Sequence, residues 1–204
     1  MRFIETEDDL ISHYGQPGDR ALRKELRALD GHCRAFIAKS PFVLIGTQDA
    51  AGHGDVTPKG DRPGFAAVLD DTTLAIPDRP GNNRLDSFRN LIANPAVGLL
   101  FLIPGMDETL RVNGRGRITA DSGLRERFAV DGKPAVTVLV VQVDACYMHC
   151  AKAFMRSRLW QPDSWPDRSA MPTLGRILKD QIGLSTSAEE NDASLATAYA
   201  KTMW

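Results

Sequence analysis

The chain has 204 residues, of which 43% are hydrophobic and 25% charged, and its formal net charge is −1 at pH 7. This length suffices for one domain with its own core, and the near-zero charge argues against nucleic acid or anionic membranes as partners. No apolar run is long enough to span a membrane, and the start MRFIETEDDLISHYG is too acidic for a secretory signal. The odd number of cysteines, three, disfavours a disulfide framework and predicts a cytoplasmic location.

The N-terminal part of the chain has helical periodicity. Apolar residues from Leu22 to Ile37 recur on one side of a helix predicted over 17–39, and Gly31 leaves open either a kink or two helices. Strand-like segments follow at 42–47 and near Val56.

A hairpin is predicted next, with arms at 65–69 and 72–76 and its turn at Asp70-Asp71. The stretch IPDRPGNNRLDSFRNLIANPAVGLLFL then predicts a short helix followed by a buried strand over 97–103. Asn82 or Asn83 is expected to cap the helix N-terminus, and Asn94-Pro95 to end the helix. Its apolar face is predicted to contain Leu85, Phe88, Leu91 and Ile92.

Segment 108–119 alternates strictly between apolar or glycine residues and polar ones, which is typical of a strand with one buried face. A short helix over 122–129 and a strand over 135–143 follow. Because βαβ crossovers are missing, these elements favour a mainly β, α+β fold built on a six-stranded antiparallel barrel. One domain is expected, with an N-terminal helical segment (1–40), a barrel core (41–150) and a C-terminal helical extension (151–204).

Two segments have the chemistry of an anion site. In PGNNR, the helix N-terminus offers backbone N–H groups, Asn82 and Asn83 offer amides, and Arg84 adds a charged fork of donors. Lys59 follows a strand in DVTPKGD. The alternative interpretation is a capped helix with a surface arginine and a solvated lysine. If the barrel brings both segments to one edge, Lys59 and Arg84 form a clamp for a dianion.

Other functional classes find less support. The arginines on strand 108–119 lack interleaved aromatic residues, so a solvated or interface face is favoured over nucleic-acid binding. No metal site is predicted, because the C-terminal Cys/His group is not a CxxC knuckle and has no second ligand pair. No histidine has a GxSxG-type partner, so a hydrolase triad is not predicted. The arginines are Arg111, Arg115 and Arg117, and the Cys/His group is Cys146, His149 and Cys150. The histidines considered for a triad are His13, His32 and His53.

The order of these pieces resembles the pyridoxamine 5'-phosphate oxidase-like family of flavin proteins, which is built on the FMN-binding split barrel. The match is carried by VTPKG, by GNNR through Asn94-Pro95 to the following strand, by ETLRVNGRG and by LWQP, over roughly residues 36–165. Trp160 in LWQP would otherwise be taken as a packing residue.

The resemblance implies a flavin-dependent oxidoreductase that holds FMN non-covalently, at the interface of a homodimer. It implies that Lys59, Asn83 and Arg84 contact the FMN phosphate and that Pro77, Asp78 and Asn82 line the same edge. It further implies that Thr109 faces the flavin and that Trp160 reaches it from the partner subunit.

The sequence departs from the family pattern at three places. Gly54 and Asn83 stand where the family has basic residues, and no Arg-x-His segment for gripping phosphorylated pyridoxamine is found. These departures argue against pyridoxamine phosphate as the substrate. Two alternatives stay open: another cofactor, such as a deazaflavin or haem, or a protein that stores or senses flavin without turnover. Arg111 is expected either to place positive charge near the flavin or to form a structural ion pair.

Overall fold

A computed structural model describes residues 1–203, and its centre is one antiparallel sheet of seven strands in the order β2-β1-β5-β6-β7-β4-β3. The strands are β1 (Phe42–Gln48), β2 (Gly54–Gly60), β3 (Ala67–Val68), β4 (Thr73–Asp78), β5 (Ala96–Leu102), β6 (Thr109–Thr119) and β7 (Thr137–His149). The helices of the described chain are α1 (Glu7–Tyr14), α2 (Asp19–Arg23), α3 (Gly31–Lys39), α4 (Asp86–Ala93), α5 (Ser122–Arg127), α6 (Lys152–Ser157), α7 (Leu174–Ile182) and α8 (Ala188–Thr202).

The sheet curls around a core supplied by one face of each strand. Val43, Phe101 and Leu110 lie in register across β1, β5 and β6 and are fully buried. On β6 the buried and more exposed positions alternate, which confirms the pattern predicted for 108–119. We call this buried side the inner face and the opposite side the outer face.

Helix α4 covers one end of the barrel, and a glycine lets it approach. A Cβ at Gly116 of β6 would lie 3.1 Å from a methyl of Leu91, which is the buried residue that α4 adds to the core. Asn90 of the same helix donates to the hydroxyl of Thr47 at 3.1 Å. These contacts fix α4 above β1 and β6, and so fix where its N-terminus lies.

Two ion pairs join the opposite margins of the sheet. Lys59 of β2 pairs with Asp78 of β4 at 2.5 Å, and Asp61 just beyond β2 pairs with Arg79 just beyond β4 at 2.9 Å. Since β2 is one edge strand and β4 is next to the other, both pairs draw the margins together. The side chains are 11–27% exposed, so these pairs are better shielded from water than ordinary surface pairs.

The predicted fold class is confirmed, although the sheet has seven strands instead of six; the shortest is the edge strand β3. Of the two possibilities left open over 17–39, a kinked helix or two helices, the structure has two helices, α2 and α3, and Gly31 begins the second. Between them Leu26 forms an isolated bridge with Cys146 of β7, and Asp30 caps α3. Helix α1 lies in the N-terminal helical segment predicted over 1–40, but its own position was not predicted.

Two further expectations need correction. Strand β7 begins at Thr137 and runs on to His149, because it pairs with the whole of β6. On α4 only Phe88 and Leu91 pack against the core, whereas Ile92 is 81% exposed and Leu85 precedes the helix. Asn94 caps the C-terminus of α4, which confirms the predicted end.

The C-terminal helices form a hairpin of their own. The amide of Gly175 in α7 donates to Asp192 of α8 at 2.8 Å, and a Cβ at Gly175 would lie 2.5 Å from that carboxylate. Ser187 and Glu190 form a capping box at the start of α8. Across residues 1–203, no helix combines the length and apolar character needed to cross a membrane.

Candidate functional site

A cleft of about 420 Å³ opens where the two margins of the sheet meet the N-terminus of α4. Its walls are the inner side of β2, the end of β4, the loop 79–85, the first turn of α4 and the start of β7. We call it the edge cleft. Its volume lies within the range typical of small-molecule sites.

Lys59 projects into the edge cleft from β2. Because Lys59 lies opposite the buried Val43 of β1, its side chain is on the inner face. Its ammonium group pairs with Asp78 and lies 5.3 Å from the ring centroid of Phe88 on α4. Lys59 is therefore held at the edge cleft by a carboxylate and an aromatic ring, instead of extending into solvent.

The loop before α4 has a strained backbone. Asn83 and Leu85 both adopt positive φ angles, 57° and 60°, which cost energy for residues other than glycine. The side-chain oxygen of Asn82 accepts from the amide of Arg84 at 3.1 Å. The N-cap of α4 is Leu85, with no side-chain cap, so the prediction of Asn82 or Asn83 as N-cap is wrong: Asn82 closes the turn before the helix.

Arg84 lies at the mouth of the edge cleft and pairs with Asp86. The hydrogen bond that Arg84 donates to Asp86 raises the pKa of Arg84, and the same bond lowers the pKa of Asp86. Arg89 adds a longer contact to Asp86, at 3.4 Å, and donates to the carbonyl of Arg84 at 2.9 Å. Both partners of the Arg84–Asp86 pair are accessible to water, so a ligand can reach the guanidinium.

The charges that line the edge cleft balance. Its three cations are matched by three carboxylates, and each cation is paired with a carboxylate within the protein. The cations are Lys59, Arg79 and Arg84, and the carboxylates are Asp55, Asp78 and Asp86. An incoming anion would therefore meet cations that already have a carboxylate partner.

Two residues of the edge cleft were not found from the sequence. Ser87, in the first turn of α4, donates to Asp55 of β2 at 2.7 Å and so ties the helix to the strand. The hydroxyl of Thr137, at the start of β7, is buried and has no hydrogen-bond partner in the described chain. In the sequence, a serine in the first turn of a predicted helix was only a weak sign that Ser87 belongs to the site. No feature of the sequence pointed to Thr137.

Five of the eight predicted site residues line the edge cleft: Lys59, Asp78, Asn82, Asn83 and Arg84. Pro77 is buried in β4 and lines a neighbouring pocket of about 200 Å³ that also includes Lys59.

Thr109 is 3% exposed, and its side chain lies on the outer face of the sheet, because the side chain of its neighbour Leu110 lies on the inner face. Trp160 stacks on Phe154 and donates to the carbonyl of Met106 at 2.8 Å. Within one chain, Thr109 and Trp160 are therefore separate from the edge cleft.

A second group of cations lies on the outer face, around Tyr147 of β7. Arg111 donates to the Tyr147 hydroxyl at 2.9 Å, and Lys24 lies 5.0 Å from the ring centroid. Of the two roles expected for Arg111, the structural ion pair is not found among the described residues, where its side-chain partner is this hydroxyl. His149 stacks against the same ring.

The cysteines do not form a metal centre in this structure. Cys146 is buried with its sulfur 3.9 Å from that of Cys33, whereas Cys150 is exposed. Burial raises the pKa of the Cys33 thiol to about 12. Residues 1–203 contain no group of three or more His, Cys, Asp or Glu side chains placed to hold a metal ion.

Solved structures with related folds are distant in sequence. HupZ from Group A Streptococcus is 17% identical, with 58% of this chain and 92% of that chain covered and a TM-score of 0.47. An FMN-binding protein from Syntrophomonas wolfei is 14% identical, with 57% and 83% covered and a TM-score of 0.46. A pyridoxinephosphate oxidase family protein from Clostridium acetobutylicum is 15% identical, with 58% and 85% covered and a TM-score of 0.43.

Curated protein sequences give no match to this chain. The model of the pyridoxamine 5'-phosphate oxidase family, in contrast, matches residues 29–150, which is more than half of the chain. The matched segment begins in front of α3 and ends with β7, and it contains every wall of the edge cleft. The chain belongs to the pyridoxamine 5'-phosphate oxidase-like split-barrel family.

Proposed function

We propose that this protein binds FMN in the edge cleft and acts as a flavin-dependent oxidoreductase on a small molecule. The observation that carries the proposal is that the edge cleft gathers Lys59, Arg84 and the asparagine loop 82–83 around one cavity. These groups supply two cations and a set of amide donors, which is the chemistry of a phosphate site.

The first turn of α4 adds to that chemistry. Since Leu85 gives no side-chain cap, the leading N–H groups of the helix are free of competition from a capping oxygen. The helix dipole favours negative charge at this end. We therefore assign the phosphate of FMN to the α4 end of the edge cleft, between Lys59 and Arg84.

We propose that binding of the phosphate reorganises two ion pairs. Because Lys59 and Arg84 are already paired with Asp78 and Asp86, the phosphate competes with both carboxylates. Because Gly54 and Asn83 replace basic residues of the family pattern, the site has fewer cations for the phosphate. The affinity for FMN therefore depends on how well the phosphate competes with Asp78 and Asp86.

A second copy of the chain would complete the site. On the outer face, Phe42, Leu44, Leu100 and Leu102 are only half-buried, and they form an apolar strip across β1 and β5. We propose that a homodimer forms through this strip, because Thr109 and Trp160 lie outside the edge cleft of their own chain and the role implied for Trp160 needs a partner subunit. It would also exclude water from a planar ring.

The bound flavin would supply hydride transfer, and the chain's own residues would hold and orient it. None of them is proposed as a nucleophile. Pyridoxamine phosphate is not the proposed substrate, because the Arg-x-His segment was not found.

The test is the absorption spectrum of the purified protein, followed by titration of the apoprotein with FMN and with riboflavin. FMN is expected to bind roughly tenfold or more tightly than riboflavin, because only FMN carries the phosphate. Equal affinities would contradict the phosphate assignment. A protein that takes up no flavin, or that shows deazaflavin or haem bands, would overturn the cofactor. If the protein binds FMN but neither NADH, NADPH nor any other donor reduces it, the result would indicate that the protein stores or senses flavin.

A further inference from the structure

The hydroxyl of Thr137 is the buried side-chain polar group of the edge cleft that has no hydrogen-bond partner among the described residues. Buried hydroxyl groups are nearly always satisfied, because an unpaired one costs free energy. An exception at a ligand cleft indicates that the partner is acquired in another state.

Asp78, directly across the strand pair, is a group that can become that partner. Asp78 of β4 lies directly opposite Thr137 of β7 in the antiparallel register, so both side chains are on the same face. The strands are held together at this point by the amide of Val136, which donates to the carbonyl of Asp78 at 3.0 Å. The two side chains are therefore cross-strand neighbours.

Asp78 depends on Lys59. Its side chain is 11% exposed, and a carboxylate at that depth is costly without a counter-charge or hydrogen-bond donors. Lys59 is its side-chain partner in the described structure. Arg79, the next residue, is engaged by Asp61 and by the carbonyl of Phe128, so it is not available as a substitute.

We infer that Thr137 is a positioning residue: its hydroxyl donates to Asp78 when an anionic ligand takes Lys59 away from that carboxylate. The inference rests on the proposed function, because the phosphate is what takes Lys59. Thr137 thus stabilises the ligand-bound arrangement without touching the ligand. In the empty protein its unpaired hydroxyl costs free energy and stabilises nothing.

The experiment compares Thr137→Val, which removes the hydroxyl at nearly constant volume, with Thr137→Ser, which keeps it. FMN affinity is measured by quenching of flavin fluorescence in the full-length apoprotein. T137V is expected to bind FMN roughly tenfold more weakly, the usual effect of losing a hydrogen bond to a charged group, and T137S within about twofold of the parent. The melting temperature of the empty protein should not fall in T137V, because the hydroxyl has no partner there.

A double-mutant cycle with Asp78→Asn separates this role from direct ligand contact. In the D78N background no buried charge needs compensation, so adding T137V should change the FMN affinity by less than about twofold. Equal affinities of T137V and T137S, the same loss with and without D78N, or a lower melting temperature of empty T137V would each overturn the inference.

Binding of inorganic pyrophosphate, measured by the shift in melting temperature, distinguishes a failure of the role inferred for Thr137 from a failure of the proposed function. If the parent protein binds FMN and T137V equals T137S, only the role of Thr137 fails. If the parent protein rejects FMN but binds pyrophosphate, and T137V weakens that binding, only the flavin fails. If neither FMN nor pyrophosphate binds, the proposed function and the role inferred for Thr137 are both overturned.

Discussion

The two faces of the sheet are built to different degrees of completion. On the inner face, Val43, Phe101 and Leu110 are fully buried by the chain itself. On the outer face of the same strands, Leu44 and Leu100 stay half-exposed. The chain finishes its core but leaves an apolar strip open, and apolar surface of this kind marks interaction sites.

The cations of the two faces differ in the same way. At the edge cleft, which belongs to the inner face, Lys59 and Arg84 each have a carboxylate partner. On the outer face, Arg111 and Lys24 have an aromatic ring and neutral oxygens instead. A ligand at the edge cleft competes with carboxylates for its cations, whereas a negative group that approaches Tyr147 on the outer face meets two cations, Arg111 and Lys24, that are held by an aromatic ring and neutral oxygens.

The largest expected effect is on stability and lies on the inner face. Phe101→Ala should lower the free energy of unfolding by about 3–5 kcal/mol, because a fully buried ring is replaced by a cavity. Its matched control is Leu100→Ala, one residue along β5 on the outer face, which should cost less than half as much. Urea denaturation at two protein concentrations measures both. Equal losses at low concentration would contradict the difference between the faces.

The second prediction concerns the open strip. Leu100→Arg should leave the monomer folded and weaken association of two copies by roughly a hundredfold or more, since it would place an unpaired charge inside a dimer interface. Sedimentation velocity with circular dichroism checks both parts. Ile92→Arg, at an exposed apolar residue of α4, is the control. Unchanged association in L100R would place any dimer contact elsewhere.

The third prediction concerns the edge cleft. Replacing both Lys59 and Arg84 by alanine should weaken FMN binding by roughly a hundredfold, through loss of two charge-assisted contacts. Riboflavin binding should change little. The double variant Arg176→Ala/Lys179→Ala removes the same charge from α7 and should leave both affinities unchanged. If the cleft variant loses FMN and riboflavin alike, the edge cleft holds the ring and not the phosphate.

The sequence was sufficient for the fold but not for the pairing of its charges. Period-two alternation over 108–119 predicted β6 correctly, because the side-chain period is a local property of the backbone. Helical periodicity over 17–39 did not decide between one kinked helix and two, since two short helices and the Leu26 bridge to Cys146 keep the same apolar spacing. A local sequence pattern does not show which distant strand will pair with a residue between the helices, as Cys146 does with Leu26.

The same limit applies to the candidate site. The order of motifs brought Lys59 and Arg84 into one hypothesis, and both line one cleft. That Asp78 already holds Lys59 depends on closure of the sheet between its two margins. The orphan hydroxyl of Thr137 depends on the register of β4 with β7. Neither register nor closure is contained in the spacing of residues along the chain.

The smallest expected effect tests whether the carboxylates of the edge cleft compete with the ligand. Asp86→Asn keeps the size of the side chain but removes the charge that holds Arg84. FMN should then bind roughly threefold to tenfold more tightly, a modest gain because the pair is exposed to water and screened by salt. Riboflavin, which has no phosphate, should bind as before, and the gain for FMN should shrink as the salt concentration rises.

Asp180→Asn is the matched control, since Asp180 holds Arg176 in a comparably exposed pair on α7. It changes the net charge equally and should leave the FMN affinity unaltered. Weaker FMN binding in D86N would mean that Asp86 orients Arg84 for the phosphate instead of competing with it. The direction of this one change therefore decides whether the pairing of charges in the edge cleft opposes the ligand or prepares the site for it.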